Sequence, residues 1–156
     1  MILAIDPGNI QSAYVLYNHG EILEMGKYDN YDILAIIGQC PYSLQAFAVE
    51  MVASYGMAVG KEVFETCLWV GRFVERWGDE YELIYRKDIK MHLCGSMRAK
   101  DTNIRQALLD RFPASGGGKV PQVGTKAKPG PLFGVHSDIW SALAIAVYCE
   151  DKTIMP

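Results

Sequence analysis

The chain opens with Met1-Ile-Leu-Ala-Ile-Asp-Pro-Gly8, an apolar run that ends in a carboxylate and a turn dipeptide. A short apolar run closed by Pro-Gly is typical of a buried strand. A carboxylate at the end of such a strand is costly to bury without a partner. These residues therefore predict a first strand over residues 2–6 and a partner for the Asp6 carboxylate.

Two further strands are predicted directly after the first. Residues 12–17 have β-type composition, and the turn signal Asn18-His19-Gly20 leads into residues 21–27. Together with the first strand they predict an antiparallel meander joined by tight turns. Two later strands are expected, over residues 44–50, which end in Glu50, and over residues 80–85.

Helices are predicted between and after the later strands. They are expected over residues 31–38, 60–77, 86–93, 100–112 and 138–149. The longest of them has the apolar spacing of a core-facing helix. Residues 113–135 are rich in Gly and Pro without an apolar period, and predict a long loop that is functional or mobile. These elements predict one mixed α/β domain over residues 1–156, with a central sheet.

Charge is distributed unevenly along the chain, whose net charge is −3. Residues 86–128 hold ten basic and three acidic residues, whereas the remainder holds five basic and fifteen acidic residues. Such segregation suits a protein in which one region neutralises phosphates while another gathers carboxylates around a cation. A solvated helical face with a charged loop is the alternative interpretation.

Cysteine usage and the N-terminus indicate the cellular compartment. The four cysteines include no C-x-x-C pair, so reduced thiols are favoured over zinc chemistry, redox chemistry or a disulfide framework. No basic segment followed by a long apolar stretch opens the chain, so neither a signal peptide nor a membrane span is predicted. We expect a cytoplasmic protein with no membrane partner.

Two other carboxylates share the placement of Asp6. Glu50 ends a predicted strand, and Asp138 opens the predicted last helix. Taken singly, Asp6 can cap a turn, Glu50 can pair with a basic side chain, and Asp138 can favour a helix N-terminus. Three converging carboxylates repel one another unless a cation lies among them, and Mg²⁺ prefers oxygen ligands. Their shared placement favours a metal site.

Several motifs occur in order along nearly the whole chain. They are Ile5-Asp6-Pro7-Gly8, Val49-Glu50, Gly71 in the long helix, Ala99-Lys100-Asp101 and His136-Ser-Asp138-Ile-Trp-Ser-Ala-Leu-Ala-Ile-Ala146. This ordered set resembles the RuvC family of Holliday junction resolvases. The Arg86-Lys-Asp-Ile-Lys-Met-His-Leu-Cys-Gly95 stretch and the Gly-Pro-Leu-Phe-Gly approach to Asp138 are more similar to phage-borne members, which would place the protein in a bacterial host cell.

The resemblance implies an RNase H-like fold, with a central mixed five-stranded sheet flanked by helices. It implies a homodimer that introduces paired nicks into four-way junctions and related branched DNA. It also implies that Asp6, Glu50 and Asp138 bind Mg²⁺, for which Mn²⁺ can substitute, and that Lys100 acts at the active site. The corresponding mechanism is two-metal hydrolysis of a phosphodiester bond.

One position departs from the family pattern. The family commonly has a second acid three residues after the first on the last helix, where this chain has Ser141. Serine on that helix face can hold a water molecule but supplies no charge. Glu62, Glu65 and His136 are the candidates to compensate.

Basic and aromatic residues are candidates for contacts with DNA. Lys87, Lys90, Arg98 and Lys100 are expected to bind backbone phosphates, with solubility as the alternative role. Tyr55, in a predicted loop, is expected to stack on an opened base. Phe64 and Trp69 are expected in the core or in a two-fold interface formed by an apolar stripe of the long helix.

Two other functions remain open. An ATP-binding protein of the actin and sugar-kinase group needs a paired-domain cleft, and 156 residues hold one half of it. A protein that has lost catalysis at Ser141 would bind branched or double-stranded DNA without cutting it.

Overall fold

The computed structural model describes residues 1–40 and 43–154, and a single sheet lies at its centre. Strands β1 (Ile2–Asp6), β2 (Gln11–Asn18) and β3 (Glu21–Asp29) form an antiparallel meander. Strand β4 (Ala46–Glu50) pairs in parallel with β1, and β5 (Glu82–Ile84) pairs in parallel with β4. The order β3-β2-β1-β4-β5 confirms the predicted mixed five-stranded sheet.

Helices cover both faces of this sheet. Helices α1 (Asn30–Gln39) and α2 (Lys61–Trp77) bury Ile33, Ile37, Val70 and Phe73 in one core cluster with alternate residues of β1 and β4. The opposite face carries α3 (Arg86–Cys94), α4 (Asp101–Leu109) and α5 (Ile139–Ile154). Because side chains alternate along a strand, Ala4 and Asp6 point to the α5 face and Leu3 and Ile5 to the α1–α2 face.

The element boundaries differ from the predictions mainly at the ends. Strand β5 spans Glu82–Ile84 rather than residues 80–85, and α4 ends at Leu109 rather than at residue 112. The last helix runs to Ile154, five residues beyond its predicted end. Such ends are set by tertiary packing and capping, which local patterns report poorly.

The state of the cysteines agrees with the expectation for this chain. Cys40, Cys67, Cys94 and Cys149 are all free thiols, as predicted. Within residues 1–40 and 43–154, no helix combines the length and apolar character needed to cross a membrane.

Candidate active site

The register of the sheet brings two of the predicted carboxylates together. Strands β1 and β4 pair in parallel, so that their last residues, Asp6 and Glu50, lie side by side. Across β2, Asp6 pairs with Ala13, and Ala13 pairs with Lys27 on β3. Residues paired across neighbouring strands project to the same face. Lys27, Asp6 and Glu50 therefore belong to one row on the face covered by α5.

Asp6 is the carboxyl group that this arrangement perturbs most. Burial first, and then the carboxylates of Glu50 and Asp138, raise the pKa of Asp6 to about 9, while Arg86 acts in the opposite direction. A hydrogen bond between the Asp6 and Glu50 side chains also raises this pKa. The protein alone therefore favours a shared proton at this carboxylate pair, and a bound cation would replace that proton.

Arg86 neutralises the second member of the pair. This residue begins α3 just after β5, whose Ile84 pairs with Glu50. Arg86 Nη1 lies 3.4 Å from Glu50 Oε1, and Arg86 Nη2 contacts Asp101 Oδ1 at the start of α4. Glu50 therefore forms an ion pair with a basic side chain, which was one of the simpler interpretations of this residue.

Asp138 has a different partner. It directly precedes α5, and its Oδ2 lies 2.7 Å from Lys27 Nζ, with the side chain of Asp138 53 % exposed. Asp138 is near enough to raise the pKa of Asp6. In residues 1–40 and 43–154, however, no group of three or more His, Cys, Asp or Glu residues could hold a metal ion. The predicted metal site of three carboxylates thus stays a prediction.

The carboxylate pair nevertheless fits a hard divalent cation. Mg²⁺ is commonly bound through one or two carboxylates and keeps several of its waters. Asp6 and Glu50 supply such oxygen ligands, and their mutual repulsion is the interaction that a cation relieves. The chemistry of these two side chains therefore suits Mg²⁺ or Mn²⁺ without a third ligand from the protein.

The candidates for replacing the missing acid at Ser141 do not complete the pair. Glu65 forms an ion pair with Lys61, with 3.7 Å between Oε1 and Nζ. Glu62 and His136 are exposed. Within the part of the chain that the structure describes, none of these side chains forms a metal-binding cluster with Asp6 and Glu50.

A cleft of about 310 Å³ opens over the carboxylate pair. It is lined by Asp6, Glu50 and Arg86, by Tyr55 in the segment after β4, and by Val63 on α2, among others. The Tyr55 side chain is 59 % exposed, and its backbone has a φ of 49°. An exposed aromatic ring therefore lies at the edge of the cleft, and its role in stacking on a base stays a prediction.

A second depression, of about 500 Å³, adjoins this cleft. Tyr55 and Arg86 line both, and Lys87 and Lys90 on α3 line only the second. Three of the predicted DNA contacts, Tyr55, Lys87 and Lys90, therefore lie on one surface that continues from the carboxylate pair.

The other two predicted basic contacts are placed differently. Arg98 lines a separate depression together with Asn103 and Asp110. Lys100 is the N-cap residue of α4, and its backbone N–H donates to Asn103 Oδ1 at 2.8 Å. The neighbouring residue, Asp101, is connected to the site because its side chain contacts Arg86. The role of Lys100 at the active site stays a prediction.

The turn that follows Asp6 is held by polar groups that no sequence motif had indicated. Gly8 N–H donates to Ser12 Oγ at 3.0 Å, Ser12 Oγ donates to Asn30 Oδ1 at 2.6 Å, and Asn30 Nδ2 donates to the Gly8 carbonyl at 2.9 Å. Ser12 and Asn30 are each only 1 % exposed. Ser12, a serine within an otherwise largely apolar strand, was the feature of the sequence that could have indicated this network. This network fixes the backbone next to Asp6 and so helps to position its carboxylate.

The fold is shared with proteins of known structure. No protein-family model and no curated protein matches the sequence. The architecture is that of the RNase H-like α/β class, with helices on both faces of a mixed five-stranded sheet. Among solved structures, the chain is similar to Thermus thermophilus RuvC, with a TM-score of 0.64 and 16% identity over 99% of this chain and 95% of that one.

A second structure of the same protein gives a similar result. T. thermophilus RuvC in complex with a Holliday junction substrate has a TM-score of 0.63 and 16% identity, over 99% of this chain and 94% of that one. At this identity the likeness establishes the fold alone. The RuvC-like fold expected from the sequence motifs is confirmed, whereas the phage-like subtype stays a prediction.

Proposed function

We propose that this chain is a metal-dependent endodeoxyribonuclease that cuts four-way junctions and related branched DNA. The observation that carries the proposal is the Asp6–Glu50 pair, which opens into a cleft continuous with Tyr55, Lys87 and Lys90. The fold shared with RuvC, which has been solved with a Holliday junction substrate, supports the choice of branched DNA.

The carboxylates, the basic residues and Tyr55 have different roles in the proposed reaction. Asp6 and Glu50 would hold Mg²⁺, or Mn²⁺ in its place, with Asp138 nearby. A bound divalent ion supplies a water of lowered pKa and stabilises negative charge on the phosphate. Arg86 is fixed by Glu50 and Asp101 at the cleft wall, where its remaining N–H groups can bind a phosphate oxygen. Lys87 and Lys90 neutralise flanking phosphates, and Tyr55 stacks on an opened base.

A homodimer is part of this proposal. A four-way junction has approximate two-fold symmetry, and paired nicks require two active sites held in a fixed relation. Helix α2 exposes Phe64 and Leu68, at 63 % and 64 % of their surface. Two such helices packed across a two-fold axis would bury both side chains.

A second function is favoured by the ion pairs at the site. Arg86 already contacts Glu50, and Lys27 already binds Asp138. Position 141 is a serine, which adds no charge. A protein with these features could bind branched DNA without cutting it, because its cationic side chains occupy the carboxylates that would otherwise hold a metal ion.

Cleavage of a labelled four-way junction distinguishes the two functions. A linear duplex of the same sequence serves as the substrate control, each with Mg²⁺, Mn²⁺ or EDTA. We expect metal-dependent, symmetrical paired nicks in the junction and a loss of at least about 100-fold in Asp6→Asn, in line with the removal of one group that stabilises the transition state. Asp32→Asn, an exposed acid on α1, is the matched control and should cut normally.

The folded state of the variant can be checked independently. Because Asp6 is a carboxyl group with a raised pKa, Asp6→Asn should leave the melting temperature without metal unchanged or higher. Junction binding with no metal-dependent cutting in the wild type would contradict the nuclease and favour the second function. Failure to bind branched DNA would contradict both.

A further inference from the structure

A second basic surface lies outside the cleft, in residues 113–135, here called the glycine-lysine loop. This segment contains three lysines and no acidic residue. Lys119, Lys126 and Lys128 are all exposed, and none of them forms an ion pair within residues 1–40 and 43–154. Their positive charges are therefore free to meet an external anion.

Main-chain hydrogen bonds give the glycine-lysine loop a defined shape. Gly116 N–H donates to the Pro121 carbonyl at 2.9 Å, and Gly117 N–H donates to the Lys128 carbonyl at 2.9 Å. Thr125 N–H reaches the same Lys128 carbonyl at 3.1 Å, and Thr125 Oγ1 accepts from Lys128 N–H at 3.2 Å. The lysines at positions 126 and 128 therefore lie in a closed turn, although the segment has no helix or long strand.

Glycines allow the loop to pack this tightly. A Cβ on Gly116 would lie 2.7 Å from Gly124 Cα, and a Cβ on Gly124 would lie 2.4 Å from Gly130 N. Gly124 also has a φ of +77°, which disfavours any other residue. The glycine-rich composition thus produces close backbone contacts, and the lysines are presented from a preformed surface.

The end of the loop is anchored beside the candidate active site. Leu132 is fully buried in the core cluster that contains α5. A Cβ on Gly134 would lie 3.0 Å from Met25 Cε. Met25 lies two residues before Lys27 on β3 and so projects to the same sheet face. Lys27 in turn binds Asp138, just beyond the loop.

We propose that the glycine-lysine loop binds the phosphate backbone of DNA next to the site of cutting. Lysine ammonium groups bind phosphates as point charges, and a preformed loop loses little conformational entropy on binding. The absence of acidic residues removes any internal competitor for the lysines. This inference rests on the proposed function, since it takes branched DNA as the partner.

The salt dependence of DNA binding tests the inference without any cutting. The affinity of a fluorescent four-way junction is measured by anisotropy in EDTA between 50 and 200 mM NaCl, roughly the range over which phosphate contacts dominate. Lys126→Ala/Lys128→Ala should bind about 10-fold more weakly. The slope of log K against log salt should become less steep by up to about 1.8, because each of the two lost phosphate contacts accounts for about 0.9. Lys152→Ala, an exposed lysine on α5, is the control for a general charge effect.

A variant that keeps every charge tests the shape of the loop. Gly124→Ala should weaken junction binding several-fold while the far-ultraviolet circular dichroism spectrum stays that of the folded protein, because the turn that carries the lysines is displaced. Wild-type affinity in the double lysine variant would overturn the inference, and so would an equal loss in Lys152→Ala. If the wild type binds no branched DNA in this assay, the proposed function fails instead, and the two failures are therefore distinguishable.

Discussion

Lys27 gives the candidate site a fixed positive charge among its carboxylates. Its position follows from strand register, because Lys27 pairs with Ala13 and Ala13 pairs with Asp6. Its ammonium group reaches across to Asp138 Oδ2. The Lys27–Asp138 ion pair therefore links the start of α5 to the row of side chains that contains Asp6 and Glu50.

Replacing Lys27 should affect metal binding and cutting in opposite directions. In Lys27→Met the repulsion of a divalent cation is removed, so we expect Mn²⁺ to bind a few-fold more tightly. Junction cutting should slow by about 10-fold or more, because Asp138 loses the group that orients it. Electron paramagnetic resonance measures bound Mn²⁺, and a gel assay measures cutting.

Lys27→Arg keeps the charge and is the matched control, with both quantities close to wild type. The partly exposed Lys27–Asp138 ion pair should contribute at most about 1 kcal/mol to the free energy of folding, so Lys27→Met should remain folded. Unchanged Mn²⁺ affinity and unchanged cutting in Lys27→Met would contradict a role for Lys27 at the site.

At the scale of single elements, α2 has one buried and one exposed apolar face. Val70 and Phe73 pack against the sheet, whereas Phe64 and Leu68 lie one turn apart on the solvent side. If this stripe forms the proposed two-fold interface, Phe64→Glu/Leu68→Glu should convert a dimer into a monomer and weaken self-association by at least about 100-fold. Sedimentation velocity measures the change.

The control for this element is an exposed apolar residue elsewhere. Leu23 on the edge strand β3 is 46 % exposed, and Leu23→Glu should leave the dimer intact. A wild type that sediments as a monomer at micromolar concentration would contradict the interface. Dissociation of the Leu23→Glu variant would assign the contact to a different face.

The sequence predicted the elements well where the signal was local. The apolar run before Asp6 indicated β1, and the apolar period of α2 indicated a core-facing helix, because burial imposes those spacings. The meeting of Asp6 and Glu50 at two strand ends was also predictable. The Lys27–Asp138 pair joins residues 111 positions apart, and no local pattern reports such a contact. The shape of the glycine-lysine loop was hidden as well, because backbone contacts between glycines leave no periodicity.

At the scale of the whole molecule, one buried carboxylate connects α3, α5 and the turn that follows α4. Asp151 on α5 is 6 % exposed and accepts hydrogen bonds from Arg111 Nη1 at 2.6 Å and Arg111 Nη2 at 2.5 Å. His92 Nε2 on α3 lies 2.6 Å from the same carboxylate. Burial alone would raise the pKa of Asp151, but the hydrogen bonds from Arg111 and His92 outweigh it and hold the pKa below its usual range. An ionised Asp151 therefore holds α5 against α3 and the end of α4, the helices whose first residues lie next to the candidate site.

The contribution of this connection to stability should depend on pH. A carboxyl group whose pKa is lower in the folded state stabilises the fold above its unfolded pKa of about 3.9, and the stabilisation is lost as the pH falls through the folded pKa. Arg111→Met removes two hydrogen bonds to Asp151 and should lower the free energy of unfolding at pH 7 by about 1–3 kcal/mol. The difference in the free energy of unfolding between the wild type and Arg111→Met should narrow below about pH 4, where Asp151 becomes protonated in both proteins. Urea unfolding followed by circular dichroism from pH 7 to pH 3 measures this difference, with Arg98→Met, an exposed arginine before α4, as the control. A deficit that stays constant over this range would mean that Arg111 stabilises the helices by packing rather than through the charge of Asp151.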